Sequence, residues 1–421
     1  MKKFIVAIIA ALTVFACVLG GCVTLEGQNG RDLSIYDIYA AVNEARREQG
    51  LEELDFLEFV SEYLSYDGTQ LSEAANLKTV MNRSLLSTVG IISGFQVGRD
   101  VEYAAGSGVI VDLDRTAGNA LILTNCHVVY SDESSHPLAT EVYVYLYGND
   151  DITTAYGIEA EIVGASVNYD LALIKIEHST ELSRSGAIEA AFAPEEEVYA
   201  GASVYAVGNP EYAGLSVTVG IISRESEIVS LNLSDRFPDA ESLFNDYRVI
   251  RTDAAINGGN SGGGLFDSSG RLVGIVNSKD SGAEGMGYAL AGSYAKRIWK
   301  LFADGYGYVR SNGTFGLERA VFAVPYTYTS ISYFDSAENV AKIEDRIIVS
   351  SNSGEFKSGD KITRLRILNG DKVVEDVNIT RHFMLDDVIL SARRGYVLEY
   401  TVERGDAQVV LNVTPQFVNC A

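Results

Sequence analysis

Three observations predict a mostly β fold, with a small helical segment before it and an α+β segment after it. From about Val80 onward, short β-branched and aromatic runs alternate with Gly, Asn, Asp and Ser. Those runs have no helical stretch between them until about Gly292, which indicates antiparallel strands in a sandwich or barrel. Before Val80, and again near Leu385, apolar residues recur at steps of three and four, the period of an amphipathic helix.

The chain opens on Lys2 and Lys3, then an apolar run from Phe4 to Leu19. That run is too short and wrongly flanked for a membrane-spanning helix, and it reads as an export signal. It ends in Leu19-Gly20-Gly21-Cys22, which resembles a bacterial lipobox, so residues 1–21 are expected to be removed and Cys22 lipidated. Several acyl chains anchor far better than one, at about 0.8 kcal/mol per buried methylene. Residues 22–32 then form a tether. Residues 33–79 form the helical segment, in which Leu33, Ile35, Ile38, Tyr39 and Val42 share a face after a cap at Asp32 or Ser34.

Strand-like runs follow at 107–111, 121–124, 142–147, 171–176, 204–208, 217–223 and 272–276. A helix at 292–302, with Trp299 on its apolar side, closes this segment at about residue 303. Residues 304–314 read as a linker. The last segment, 315–415, has strands at 346–350, 361–368, 396–402 and 409–413 around a helix at 385–392.

With 57 acidic and 33 basic residues the net charge is −24. That balance argues against a nucleic-acid partner and keeps an exported chain soluble. The four cysteines are not a disulfide framework. Cys17 leaves with the signal and Cys22 is acylated, so Cys126 and Cys420 are expected as free thiols. No metal cluster or phosphate-binding loop is present, and no cofactor is implied.

Gly259-Asn260-Ser261-Gly262-Gly263 is the stretch richest in chemistry. A serine hydroxyl is a weak nucleophile until a neighbouring base takes its proton. The carbonyl it attacks becomes an oxyanion that backbone N–H groups must already face, and glycines permit the turn that aims them. Of the four histidines, His127 stands at the end of an apolar strand. His136 and His178 lie in polar loops, and His382 lies in the last segment. Asp170 opens the run 171–176, where its carboxylate can hold the His127 imidazole in one tautomer. His127, Asp170 and Ser261 are therefore the candidate catalytic residues.

The order His, Asp, Ser is that of the chymotrypsin-type double β-barrel. The chain resembles the HtrA (Deg) family of exported serine proteases over about residues 80–303. The resemblance is carried by Gly106-Ser107-Gly108-Val109-Ile110, Thr124-Asn125-Cys126-His127-Val128, Asp170-Leu171-Ala172-Leu173-Ile174-Lys175, Thr252-Asp253-Ala254-Ala255-Ile256-Asn257, and the serine loop itself. It implies an oxyanion hole at Gly259, Asn260 and Ser261, and a specificity pocket walled by Ile275, Val276 and Asn277 and by residues 285–289. No acidic residue stands there, so small or medium aliphatic side chains are the expected preference. The sequence departs from the family at Gly258 and Gly264, where the usual motif has proline, which implies a looser loop. Residues 225–247 are expected to act as a regulatory lid.

The last segment resembles a PDZ domain at Ser358-Gly359-Asp360-Lys361-Ile362 and Asn369-Gly370-Asp371-Lys372-Val373. Phe315-Gly316-Leu317 is then the expected loop for a peptide's terminal carboxylate. Together these readings imply a lipid-anchored endopeptidase of the bacterial envelope, facing outside the cytoplasm and acting on unfolded or damaged proteins. Homotrimers are implied by the resemblance. The alternative is a catalytically weak chaperone or peptide-binding protein on the same fold. An α/β-hydrolase, which Gly259-x-Ser261-x-Gly263 also permits, requires its histidine after the serine and alternating strands and helices.

Overall fold

A computed structural model describes residues 42–44, 46–47, 50–51, 73–131, 134, 136–149, 156–210, 213–232, 244–279, 285–309, 315–336 and 340–420. Cys22 and the tether lie outside the described residues, as does most of the expected helical segment. The chain forms two compact units, residues 1–78 and 79–421. In the first, residues 42–44 and 46–47 are helical. Among the described residues no helix is long and apolar enough to cross a membrane.

Helix α1 (Glu73–Ser87) runs past the expected change of period, so the first strand starts at Thr88 rather than near Val80. Strands β1 (Thr88–Val97), β2 (Asp100–Asp114) and β3 (Asn119–Thr124) form a meander, followed by the one-turn helix α2 (Cys126–Val129). β4 (Glu141–Tyr145), β5 (Ile158–Glu159), β6 (Glu161–Ser166) and β7 (Leu171–Ile176) complete an open seven-stranded sheet. Its order is β5-β4-β1-β2-β3-β7-β6.

After the short helix α3 (Thr180–Arg184), six strands close into a barrel. They are β8 (Ser203–Gly208), β9 (Ser216–Asn232), β10 (Phe244–Thr252), β11 (Gly264–Asp267), β12 (Leu272–Lys279) and β13 (Gly287–Ala291). The mostly β class expected from the sequence is what the structure has. One half is a closed barrel and the other an open, curled sheet. Of the expected lid at 225–247, the described residues belong to β9 and β10, which pair from Phe244↔Asn232 onward, and residues 233–243 lie outside the described residues.

Helix α4 (Gly292–Ala303) packs across β7 and β12 through Ala295, Ile298, Leu301 and Phe302. It stops at Gly305, whose φ of 78° lets its N–H reach the Phe302 carbonyl while Tyr306 N–H reaches Leu301. That pair of bonds is a Schellman C-cap.

The segment after α4 is no tethered module, because it belongs to the same compact unit as the barrel. β14 (Gly307–Val309) falls within the expected linker and pairs with β15 (Phe315–Val321). Both pack on β6. A second sheet follows, made of β16 (Tyr326–Asp335), β17 (Val340–Val349), β18 (Lys361–Asn369), β20 (Val397–Arg404) and β21 (Ala407–Val413). β19 (Lys372–Asn378) pairs with β18, and helix α5 (Phe383–Ile389) covers the sheet's apolar face. The last strand, β22 (Gln416–Cys420), returns to pair with β15 and so extends the segment past residue 415.

The two parts are joined by a buried cation. Arg248 of β10 lies 2.6 Å from Asp387 of α5 and 2.9 Å from Glu195. It also donates to Ser293 Oγ at 2.6 Å and sits 4.6 Å from the centre of the Phe383 ring. Burial pushes the Asp387 carboxyl up, and the adjacent guanidinium pulls it back toward the charged form. Replacing Arg248 alone by Met should strand that carboxylate and lower stability by about 3–5 kcal/mol in chemical denaturation. The double change with Asp387→Leu should lose much less, since the one carboxylate left without Arg248, Glu195, is partly exposed to solvent.

A second buried carboxylate sets a pH dependence. Burial alone would raise Asp345, but hydrogen bonds from Ser330 and from the His382 backbone and ring, with Arg381 beside it, hold it at about 2 against an ordinary 3.8. A depressed folded-state value means its stabilisation is complete above the unfolded value and disappears as pH falls through the folded one. Asp345→Asn should therefore lower Tm at neutral pH. The gap to the parent should close between about pH 4 and pH 2.

Candidate active site

The pairing of β3 with β7 builds the first half of the site. Thr124 stands opposite Ala172, so the chain leaving β3 meets the chain entering β7. Asn125 caps α2 and sends its side-chain amide to the Asp170 carbonyl at 2.9 Å. His127 thus sits beside Asp170, with Nδ1 at 2.8 Å from Oδ2 and 3.0 Å from Oδ1, and its backbone N–H donates to Oδ1 at 3.0 Å. Asp170 is 1% exposed, so its charge acts on the imidazole without much solvent screening. A bidentate approach of this kind fixes both the ring's orientation and the nitrogen that carries the proton. The neighbouring Cys126 is free and fully buried, and burial raises its thiol well above the ordinary range. It is a core residue and not a competing nucleophile.

The second half is the loop between β10 and β11. Gly259 and Gly262 take φ values of 94° and 84°, which a side chain would strain. The Asn260 N–H donates to Asn257 at 3.1 Å and the Gly263 N–H to Asn260 at 2.9 Å, making a tight turn around Ser261. Across to β12, the Gly262 N–H donates to the Val276 carbonyl and the Val276 N–H to the Gly263 carbonyl, each at 2.8 Å. Among the described residues, neither the Gly259 nor the Ser261 amide donates to a protein acceptor. Within residues 259–263 these are the two N–H groups that bond no described protein acceptor.

Two positioning residues escaped the sequence reading. Ser107 reaches from β2 to the loop: its N–H donates to the Ser261 carbonyl at 2.8 Å and its hydroxyl to the Gly259 carbonyl at 2.7 Å. The same hydroxyl accepts from the Asn209 N–H at 2.8 Å. Its place between two glycines was the only signal available. Asn277 was read as a pocket wall, yet its side-chain amide donates to Asp170 Oδ2 at 2.6 Å. Its backbone carbonyl accepts the Ser261 hydroxyl at 3.1 Å. One residue therefore touches both the acid and the serine.

Several sequence expectations need correcting. Ile275 and Val276 are fully buried in the barrel core, because β12 is paired on both edges and covered on both faces. Their side chains therefore pack inside the barrel. Phe315-Gly316-Leu317 is not an open carboxylate-binding loop. Phe315 packs its ring tilted on Tyr130 with centroids 5.0 Å apart, Gly316 faces the Tyr308 ring, and Leu317 pairs with Cys420. The two departures from the family motif are not alike. At Gly258 an added Cβ would meet nothing within 4 Å, whereas at Gly264 it would lie 2.2 Å from the Phe266 ring. Gly264 is thus a packed strand residue and not part of a loose loop. His136 and His178 stand away from this cluster, and His382 pairs with Asp345 at 2.7 Å and stacks on Tyr328.

Known proteins similar to this chain are serine proteases. Residues 106–275 match the family described as trypsin-like peptidase domain. The chain is 34% identical over 229 residues to the serine protease Do-like HtrA of Bacillus subtilis (strain 168), covering 53% of this chain and 44% of that protein. It is 28% identical over 320 residues to the probable periplasmic serine endoprotease DegP-like protein of Rhizobium meliloti (strain 1021), covering 75% and 54%. The chain thus spans about half the length of these curated relatives. A solved HtrA-type protease, AlgW with a tripeptide, aligns with 82% of this chain and 97% of its own, at 22% identity and a TM-score of 0.46. Residues 106–275 thus match a trypsin-like peptidase domain, and the chain is similar in sequence to HtrA and DegP-like serine proteases.

Proposed function

We propose that this chain is a serine endopeptidase using His127, Asp170 and Ser261, and that it acts on unfolded or damaged proteins outside the cytoplasm. The observation that carries the reading is the bidentate pairing of half-buried His127 with buried Asp170, together with a serine loop that Ser107 ties to the same sheet. In this reading the Ser261 hydroxyl turns from the Asn277 carbonyl to His127 Nε2, gives up its proton and attacks the scissile carbonyl. His127 then protonates the leaving amine, and water repeats the sequence on the acyl-enzyme. The Gly259 and Ser261 amides stabilise the oxyanion in both halves. Substrate lies as an extended strand along the barrel, consistent with a preference for aliphatic side chains, since no acidic residue lines the neighbouring strands.

Lipidation at Cys22 would hold the enzyme at the membrane, where a chain of net charge −24 would otherwise be repelled by anionic head groups. The names of the relatives, a periplasmic DegP-like endoprotease among them, support an envelope location. A homotrimer remains part of the proposal. The second reading, a peptide-binding chaperone with little activity, is favoured by one observation: the serine hydroxyl rests on Asn277.

Hydrolysis of unfolded casein by the chain and by its Ser261→Ala form separates the two. Loss of several orders of magnitude is expected for Ser261→Ala, and about 10⁴-fold in kcat for Asp170→Asn. Equal rates for parent and Ser261→Ala would leave only the chaperone. The loop glycines give a contrasting pair. Gly258→Ala should be neutral or raise stability by about 0.4–1 kcal/mol. Gly264→Ala, which must displace the fully buried Phe266 ring, should cost about 1–3 kcal/mol in thermal or urea unfolding.

A further inference from the structure

The turn that carries Asp170 depends on groups from outside the open sheet. Among the described residues, only Asp170 and His178 have positive φ without being glycine, and that of Asp170 is 46°. An aspartate can take this conformation, but it persists only where neighbours over-determine it. The turn begins where β6 ends and closes through the Asp170 N–H donating to the Val167 carbonyl at 3.2 Å. Tyr247 of β10 donates its hydroxyl to that same carbonyl at 2.8 Å. Tyr169, next to the acid and 7% exposed, packs its ring tilted on Tyr294 of α4 with centroids 5.3 Å apart. The Arg319 guanidinium of β15 lies 5.5 Å from the centre of the Tyr169 ring, within cation–π reach.

Arg319 comes from the segment after the barrel. β14 and β15 pack on β6, and β22 pairs with β15 through Val418 opposite Arg319. We infer that Arg319 is a positioning residue: the C-terminal strands hold Tyr169, and through it the Asp170 carboxylate, in register with His127. This rests on the relay proposed above. On this inference the last segment is part of the frame that orients the acid, and its docking sets how well the imidazole is held.

The test uses the full chain with Arg319→Ala and Arg319→Lys. Two signals are read: hydrolysis of a fluorogenic casein, and, in a Ser261→Ala background, the far-downfield proton resonance of His127 Nδ1–H bonded to Asp170. Arg319→Ala should lower kcat about tenfold with KM changed less than about twofold, the scale of one lost cation–π contact. It should also broaden or abolish the downfield resonance. Arg319→Lys, which keeps a cation over the ring, should restore most of both. Unchanged kcat with an intact resonance in Arg319→Ala would overturn the inference. Equal losses in the Ala and Lys forms, matched by equal falls in Tm, would overturn it too, because Arg319 would then only fill space. If casein hydrolysis in the parent did not depend on Ser261, the peptidase reading would fail, while the resonance comparison would still decide the role of Arg319.

Discussion

The contact on which the site depends is the one Ser107 makes across the seam between the open sheet and the barrel. His127 and Asp170 belong to one side of that seam and Ser261 to the other, so no local turn can bring them together. Ser107 bonds the serine loop at two carbonyls, and its own carbonyl accepts the Thr124 hydroxyl at 2.7 Å, at the end of the strand that leads to His127. Ser107 and Thr124 are fully buried, where a polar atom left without its partner is expensive. The seam therefore has one favourable register. The absence of a Cβ at Gly106 allows it: a methyl there would lie 2.7 Å from Val128 and 3.1 Å from the Ser261 carbonyl.

Asn277 has a related duty on the barrel side. Its amide meets the acid and its carbonyl meets the serine hydroxyl, so it couples the two halves through a single backbone position on β12. A substrate strand running beside β12 would compete for that carbonyl. On the reading proposed above, the serine hydroxyl leaves that carbonyl for the imidazole when substrate binds.

The C-terminal segment is bound to this core by charge as well as by packing. Arg248 satisfies Asp387 and Glu195 at once and covers the Phe383 ring, and Arg297 of α4 lies 3.3 Å from Glu375. A buried guanidinium with several partners specifies geometry more strongly than an apolar patch of similar area, since a shifted dock would leave charges unpaired. That specificity is consistent with a segment whose strands also brace the turn before Asp170.

Much of this was readable in the chain alone. The alternation after Val80, the glycines around Ser261 and the order His127, Asp170, Ser261 identified a β hydrolase framework, because strand period, loop geometry and relay chemistry are local properties of sequence. The strands at 361–368 and 396–402 and the helix near Leu385 were legible for the same reason. Long-range contacts were not. Nothing in Phe315-Gly316-Leu317 says that it will be a strand buried against Tyr130, and nothing in Asn277 says that it will reach Asp170. Gly258 and Gly264 look equivalent as letters, yet only at Gly264 does a ring two residues along the same strand face fill the space of a side chain. Residue types and their order determined the class of chemistry and the elements that carry it. Tertiary structure alone decided which buried polar groups meet across the seam, because those partners lie far apart in the chain and their pairing is selected by the cost of leaving any of them unsatisfied.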